Sequence, residues 1–404
     1  MSLQKTAISS SLIRSALLVV VCCAALWAQA ANSPFQDPRE AFQAGQQELQ
    51  GGRLEAAEAA FREVLRLDPN SVAALANLGV VYMRMERYDD AVESLEKAAR
   101  LAPGIAGIQL NLGLALLRQN RFADAIPRFR RAMELEPQQS QARYLLGLSQ
   151  YMGDDFEGAV ETFEPLYPEF SSKMDYLYIL GSCHGKAGRE REAARVFEQM
   201  FRVEGDSPRI HWLIGNAYLS AQLNSKAVDE FEKARGEPTL PYLHYSLALG
   251  YYRLRKLQEA EDTLEEEIRR NPGFASSYGL QGAIYLDLRQ LDKAIASYQK
   301  SLETQPGQAA AHYGLGRACM LKGELNEAMK HLERAKVLKP DDDSIHFQLG
   351  QVYRRAGRKE ESAKEFARAQ ELQAAEREML ERKVLGGELP PSPVQPSDAL
   401  KNDH

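Results

Sequence analysis

Four histidines are the first residues whose placement could do chemistry. His211, His244, His312 and His346 occupy one recurring position, 33, 68 and 34 residues apart. Imidazole is the commonest protein metal ligand, but ligands of one ion must converge to about 2.0–2.1 Å from it. Side chains spaced by whole structural repeats climb a ladder and do not converge. His184 and His331 stand elsewhere, with no partner at ligand spacing. Cys183 and Cys319 are too far apart in such a ladder for a disulfide, and read as small core residues. No G-x-S-x-G, H-E-x-x-H or phosphate-loop pattern occurs. The carboxylates fall on solvated helix faces instead of forming an acid and base pair. The residues therefore indicate no metal, no cofactor and no catalytic centre, and an enzyme is the minority reading.

Composition narrows the classes further. The 404 residues carry 50 Lys and Arg against 56 Asp and Glu, a formal charge of −6, which excludes a strongly basic nucleic-acid binder. Four cysteines are too few for a disulfide scaffold of this size. A mean hydropathy of −0.42 excludes a polytopic membrane protein.

The elements that must position any site come from a repeat. Glycines fall every 34 residues at Gly45, Gly79, Gly113, Gly147, Gly181 and Gly215, and resume at Gly282, Gly316 and Gly350. Alanines keep the beat at Ala57, Ala91, Ala125, Ala159, Ala193 and Ala227, then Ala260, Ala294 and Ala328. One residue is lost in between, most simply in the turn at 236–241. A ring or a leucine follows each alanine by four residues, as at Phe61, Leu95, Phe129 and Tyr298, and prolines such as Pro69, Pro103, Pro272 and Pro340 close units. Each unit reads as two amphipathic helices joined by a short turn. Gly79, Gly113 and Gly282 are expected to face Ala91, Ala125 and Ala294 across the pair, with the following ring filling the gap between units.

This pattern resembles the tetratricopeptide repeat (TPR) family. Its hallmarks stand at Leu78, Gly79, Tyr82, Ala91, Leu95, Ala98 and Pro103 in one repeat and at Tyr278, Gly282, Tyr285, Ala294, Tyr298 and Pro306 in another. About ten repeats span 38–384 with their terminal helical cap. The resemblance implies an all-α solenoid of stacked helix-turn-helix hairpins forming a right-handed superhelix, whose first helices line a concave groove. One pair cannot bury its own apolar face, so stability comes from stacking.

Irregularities are expected near 164–174, where Pro165 and Pro168 should end a helix early, and near 203–208 and 236–241. Pro127 lies near the start of its helix, where a missing donor costs little. The last repeat has Ser362 in place of the small alanine, and its helix continues as a charged cap. The segment 385–404, rich in proline, reads as disordered. At the other end, Lys5 and Arg14 precede an uncharged run from Ser15 to Trp27 and the small-residue site Ala28-Gln29-Ala30. That is the layout of a secretory signal peptide over 1–30, followed by a short linker at 31–37. A retained membrane anchor stays open, although the run is shorter than the roughly 20 residues of a spanning helix. A lipoprotein signal fits poorly, because Val21 precedes Cys22.

The groove supplies the functional reading. One first-helix position carries Phe42, Tyr144, Tyr178, Trp212, Tyr245, Tyr313 and Phe347, with Tyr151, Tyr242 and Tyr252 on neighbouring rows. Rings with a polar handle and few charges mark binding surfaces; inter-repeat packing is the competing reading of each ring. Some family members clamp a C-terminal carboxylate with polar groove residues. Asn77 and Asn111 are candidate polar contacts here, but Leu145, Ile179, Leu213 and Leu280 replace them later, so that clamp is doubtful. The chain thus reads as an exported scaffold or adaptor that binds a protein or peptide, in the periplasm, with a secreted or anchored protein as alternatives. The other readings are an accessory subunit of an envelope assembly or polysaccharide-export machinery and an enzyme with an unrecognised site. The sequence names neither the partner nor the oligomeric state.

Overall fold

The computed structural model describes residue 35 and residues 37–384. The signal-peptide reading at 1–30, most of the linker and the proline-rich segment 385–404 lie outside the described residues. Helices follow one another in pairs. The first helices of repeats 1–5 are Pro38–Gln50, Val72–Arg84, Ala106–Arg118, Ser140–Met152 and Met174–Lys186, and their second helices begin at Leu54, Tyr88, Phe122, Phe156 and Glu190. Repeats 6–10 have first helices Pro208–Ser220, Leu243–Arg253, Ala275–Asp287, Ala309–Lys322 and Asp343–Arg355, with second helices beginning at Asn224, Leu257, Leu291, Leu325 and Lys359. No strand occurs among the described residues. The chain divides into two compact units, one ending at Val203 and the other starting at Glu204. Within each, consecutive pairs stack as an all-α solenoid, and the core is the seam between their helices. Leu78, Ala91, Leu95, Leu112 and Phe129 belong to one seam; Tyr298, Ala311, Leu315 and Leu332 belong to another.

The recurring glycine does not face the recurring alanine first, as the sequence suggests. It faces the ring or leucine sixteen residues later, in its own repeat. A methyl carbon on Gly113 would lie 2.6 Å from Phe129 Cε1, and one on Gly45 would lie 2.7 Å from Phe61 Cε1. Such separations are shorter than any van der Waals contact, so the side chain sits where a Cβ would otherwise be. Phe61, Phe129, Phe163 and Phe231 are fully buried as a result. Repeat 7 has Ala248 in place of the glycine, and there the partner is the smaller Leu264 in the same core cluster.

The turn inside each pair passes through a left-handed residue. Glycine supplies it at Gly52, Gly188, Gly323 and Gly357, with φ from +73° to +93°. The same position is held by Glu86, Asn120, Asp154, Gln222, Arg255 and Arg289 at φ from +59° to +62°. Left-handed backbone costs most L-residues roughly 1–2 kcal/mol, with Asn and Asp the more tolerant, so the four repeats with Glu86, Gln222, Arg255 and Arg289 hold this turn against their own local preference.

The second helix of repeat 4 stops at Phe163 and is followed by a 3₁₀ turn, Glu164–Leu166, and a short helix, Tyr167–Phe170. Pro165 and Pro168 each sit early in one of these pieces, where no donor is needed. Ser207 caps Pro208–Ser220 through a bond from Ile210 N. Pro127 differs from expectation. It is the sixth residue of the helix Phe122–Leu135 and lies beyond the free-donor turn, yet that helix is continuous. The carbonyl it deprives belongs to Ala123, which is exposed and open to water. The final helix runs over 26 residues from Lys359 to Val384. Ser362 takes the place of the small alanine, buried, with its hydroxyl donating to Gly350 O at 2.8 Å.

Candidate functional site

The ring-bearing position lies three residues before the recurring glycine on each first helix. Phe42, Tyr144 and Tyr178 belong to the N-terminal unit, and Trp212, Tyr245, Tyr313 and Phe347 to the C-terminal unit. These rings do two things at once. Three of them pack edge-on on the ring that faces the glycine of their own repeat: Phe42 on Phe61 at 5.6 Å, Tyr144 on Phe163 at 5.6 Å and Phe347 on Phe366 at 5.5 Å. Their outer sides remain open to differing degrees. Phe347 is 44% exposed, and Tyr144, Tyr178, Trp212, Tyr245 and Tyr313 are half-buried. Tyr144 also stacks on Phe170 at 5.7 Å, and Tyr245 meets Phe274 edge-on at 5.1 Å.

Burial pushes the phenols of Tyr144, Tyr178, Tyr245 and Tyr313 upward, so near neutral pH they present O–H groups and not phenolates. The indole Nε1 of Trp212 lies beneath the surface with no hydrogen-bond partner among the described residues. On the neighbouring row, Tyr151 packs against Phe156 at 6.0 Å with the Lys186 ammonium 5.5 Å from its ring centroid, and burial raises the Tyr252 phenol as well. Asn77 spends its amide on its own helix, donating to Ala73 O at 2.8 Å. Asn111 is half-buried.

In the C-terminal unit the row has one gap, and the gap is a cavity. In repeat 8 the ring position is Gly279, where an added Cβ would find its nearest atom, Ser301 Oγ, at an ordinary 3.5 Å. A cavity of about 520 Å³ opens there, between Tyr245 and Tyr313, over Gly279, Ala283 and Gly314. Its floor includes Tyr298, buried against Gly282 and Gly314; a Cβ on Gly314 would lie 2.6 Å from the Tyr298 hydroxyl oxygen. Arg317 and Lys339 complete the wall. The Arg317 guanidinium carbon is 5.6 Å from the Tyr313 ring centroid. Sequence reasoning singled out Tyr245 and Tyr313 but not Gly279, Gly314, Arg317 or Lys339. The interruption of the aromatic beat at Gly279 is the signal that marks them.

The histidine ladder serves the repeats. His211 Nδ1 meets Glu230 at 2.6 Å and its Nε2 meets Asp206 at 2.7 Å. His346 Nδ1 meets Glu365 at 2.5 Å. His331, unpartnered by spacing alone, is the nineteenth residue after His312 and meets it ring to ring, Nδ1 to Nδ1 at 3.1 Å. Burial lowers the pKa of His312, an effect that Arg334 reinforces. Burial, then His312 and Lys330, lowers that of His331. Burial likewise lowers His184 and His244, against the opposing pull of Glu164 and Glu266. Each of these imidazoles binds its proton more weakly folded than unfolded. As pH falls through the unfolded value near 6.5, the unfolded chain gains protons that the folded one refuses, so stability falls. Melting followed from pH 7.5 to pH 5.5 should show a declining midpoint, and replacing both His312 and His331 by Gln should flatten part of that decline. A flat profile for the unaltered chain would refute the assignment.

Cys183 and Cys319 are buried free thiols; burial pushes them up to about 12 and about 11, far from reactive thiolates at neutral pH. Among the described residues, no group of three His, Cys, Asp or Glu side chains is placed to hold a metal ion. None of the described helices is long and apolar enough to cross a membrane.

Comparison with known proteins agrees with this architecture. A tetratricopeptide repeat pattern matches residues 110–173, 177–241, 245–309 and 280–343. Related repeat patterns match 71–138, 45–86 and 343–376. Among solved structures, MamA is 27% identical and aligns over 41% of this chain and 91% of its own, with a TM-score of 0.40. YrrB, described as a TPR protein with an unusual peptide-binding site, is 22% identical over 48% of this chain and 97% of its own, at 0.42. Yeast Tom70 is 16% identical over 86% of this chain and 94% of its own, at 0.41. No curated protein matches the chain. The family pattern recurs over more than half of the residues, on the same glycines and rings that form the helix seams, and the chain belongs to the tetratricopeptide repeat family.

Proposed function

We propose that this chain is an exported scaffold or adaptor, periplasmic in a bacterial cell, that holds a protein or peptide segment against the face carried by its first helices. The observation that carries the reading is the ring position itself. Tyr and Trp recur there half-buried, with Tyr144 packed edge-on against Phe163 and Tyr245 and Tyr313 packed against core clusters while each stays partly open, an arrangement that offers large contact area with little side-chain entropy left to lose. The second helices carry the paired charges instead, such as Arg66 with Glu63, Arg131 with Glu134 and Lys300 with Glu303, as a solvated surface does. Binding is favoured over catalysis because the buried histidines serve contacts between packed helices, as His312 with His331, His346 with Glu365 and His184 with Glu164 of the preceding repeat. The N-terminal run at 15–27 and Ala28-Gln29-Ala30 support export.

Photo-crosslinking in intact cells tests the reading. A photoreactive phenylalanine analogue placed at Tyr178 or Tyr245 should capture a discrete protein partner. The same analogue at Glu303, exposed on a second helix, should not. Equal yields from the two faces would contradict the proposal.

A further inference from the structure

The gap at Gly279 allows the ligand chemistry to be narrowed. We infer that the cavity over Gly279 and Gly314 receives one bulky apolar side chain of an acidic peptide segment from a partner protein, and that Arg317 and Lys339 meet the acidic residues beside it. This rests on the reading of the first-helix face as a binding face and specifies one subsite within it.

Size and shape argue for a single large side chain. At about 520 Å³, the cavity falls in the range of small-ligand pockets and holds a ring or branched aliphatic group together with its stretch of backbone. Tyr245 and Tyr313 stand on either side and offer ring faces and edges for offset or edge-on stacking. Small residues keep it open: Gly279 and Ala283 from one first helix, Ala310 and Gly314 from the next. Every other repeat but 2 and 3 fills the Gly279 position with a ring, whereas repeats 2 and 3 have Ala76 and Leu110 there. An inserted side chain would complete the row.

Charge argues for an acidic segment. The chain as a whole is acidic, and many of its Lys and Arg side chains are paired. Arg255 pairs with Asp287, Lys322 with Asp292 and Glu324, and Lys336 with Glu333 and Glu365. Arg317 and Lys339 line the cavity, and neither takes part in an ion pair among the described residues. Of the acids near Tyr252 and Tyr313, Asp287 pairs with Arg255, Asp342 accepts from the backbone N–H groups of Ser344 and Ile345 that start a helix, and Asp343 accepts from the Gln373 amide. Arg317 lies toward the ring of Tyr313, so its guanidinium is held where a carboxylate could be bound by charge-assisted hydrogen bonds.

The test is a selection of displayed random dodecapeptides on the full chain, followed by anisotropy titrations of the enriched peptides as labelled probes. The expected sequences combine an aromatic, Leu or Met residue with flanking Asp or Glu. Gly279→Leu, which fills the cavity, and Arg317→Glu, which reverses its charge, should each weaken their binding tenfold or more with the fold retained by circular dichroism. Raising salt should weaken binding of the acidic probes to the unaltered chain. The two variants act on separate parts of the subsite, so a folding failure of one leaves the other decisive. Enriched peptides that bind both variants as well as the unaltered chain, or that lack an acidic bias, would overturn the inference while leaving the binding-face reading intact. No enrichment of any peptide would overturn both. A synthetic peptide of residues 388–404 displacing the enriched probes at lower concentration would make the chain's own segment the occupant and overturn the assignment to a partner.

Discussion

Phe129→Ala is expected to destabilise its repeat by about 3–5 kcal/mol, the usual cost of removing a fully buried ring from a packed core, and Gly113→Ala by about 1–3 kcal/mol through overpacking. The two residues occupy one volume: the ring of Phe129 sits where a side chain on Gly113 would begin. Their effects should therefore not add. Other repeats show which combinations the seam accepts. Glycine stands opposite a ring in repeat 1, opposite Leu95 in repeat 2 and opposite Leu332 in repeat 9, and Ala248 stands near Leu264 in repeat 7. None of the ten combines a ring with a Cβ. Gly113→Ala together with Phe129→Leu should thus be more stable than the sum of the two single changes indicates. Hydrogen exchange of the helices 106–118 and 122–135 is the proper readout, because stacked repeats open locally and a global transition averages over them. Strict additivity would show that the close approach is relieved by backbone movement and that the glycine beat has another cause.

This pairing also shows where sequence and structure part company. The 34-residue beat, the paired helices and the break at Pro165 and Pro168 are all legible, because each is written in residue type at fixed spacing. The partner of the glycine is not. Spacings of twelve and sixteen residues are equally regular in the sequence, and only the crossing of the two helices decides that Phe129 and not Ala125 sits against Gly113. The left-handed turn position is partly hidden for a different reason. Glycine, Asn120 and Asp154 hint at it in six repeats, but Glu86, Gln222, Arg255 and Arg289 hold the same conformation, so the trace in composition is broken. Within the candidate site, the rings Tyr245 and Tyr313 are visible as a row, while the cavity between them depends on a ring, Tyr298, reaching from a second helix to Gly314. The His312–His331 contact likewise lies across a helix pair at a spacing the ladder does not single out.

Trp212→Ala is the second change with a large expected effect. In a chain lacking residues 1–30, Trp212 is the only tryptophan. It sits half-buried at the ring position of the first helix of repeat 6. A tryptophan so placed is the kind of residue that dominates an interface, and its truncation should weaken partner binding by about 2 kcal/mol or more, near thirtyfold. Its emission should be partly quenched by acrylamide in the free chain and shielded when the partner captured by crosslinking is bound. Packing alone makes the opposite set of predictions: emission shielded from the start, a lowered melting temperature on truncation and no change in affinity.

The most direct measurement is therefore the affinity of that captured partner for the unaltered chain and for Trp212→Ala, with melting followed on the same preparations. A loss of affinity near thirtyfold with the melting temperature largely kept is the result predicted for a binding face. Unchanged affinity in the folded fraction, with a clear drop in melting temperature, would contradict it and leave the aromatic row as packing between helices.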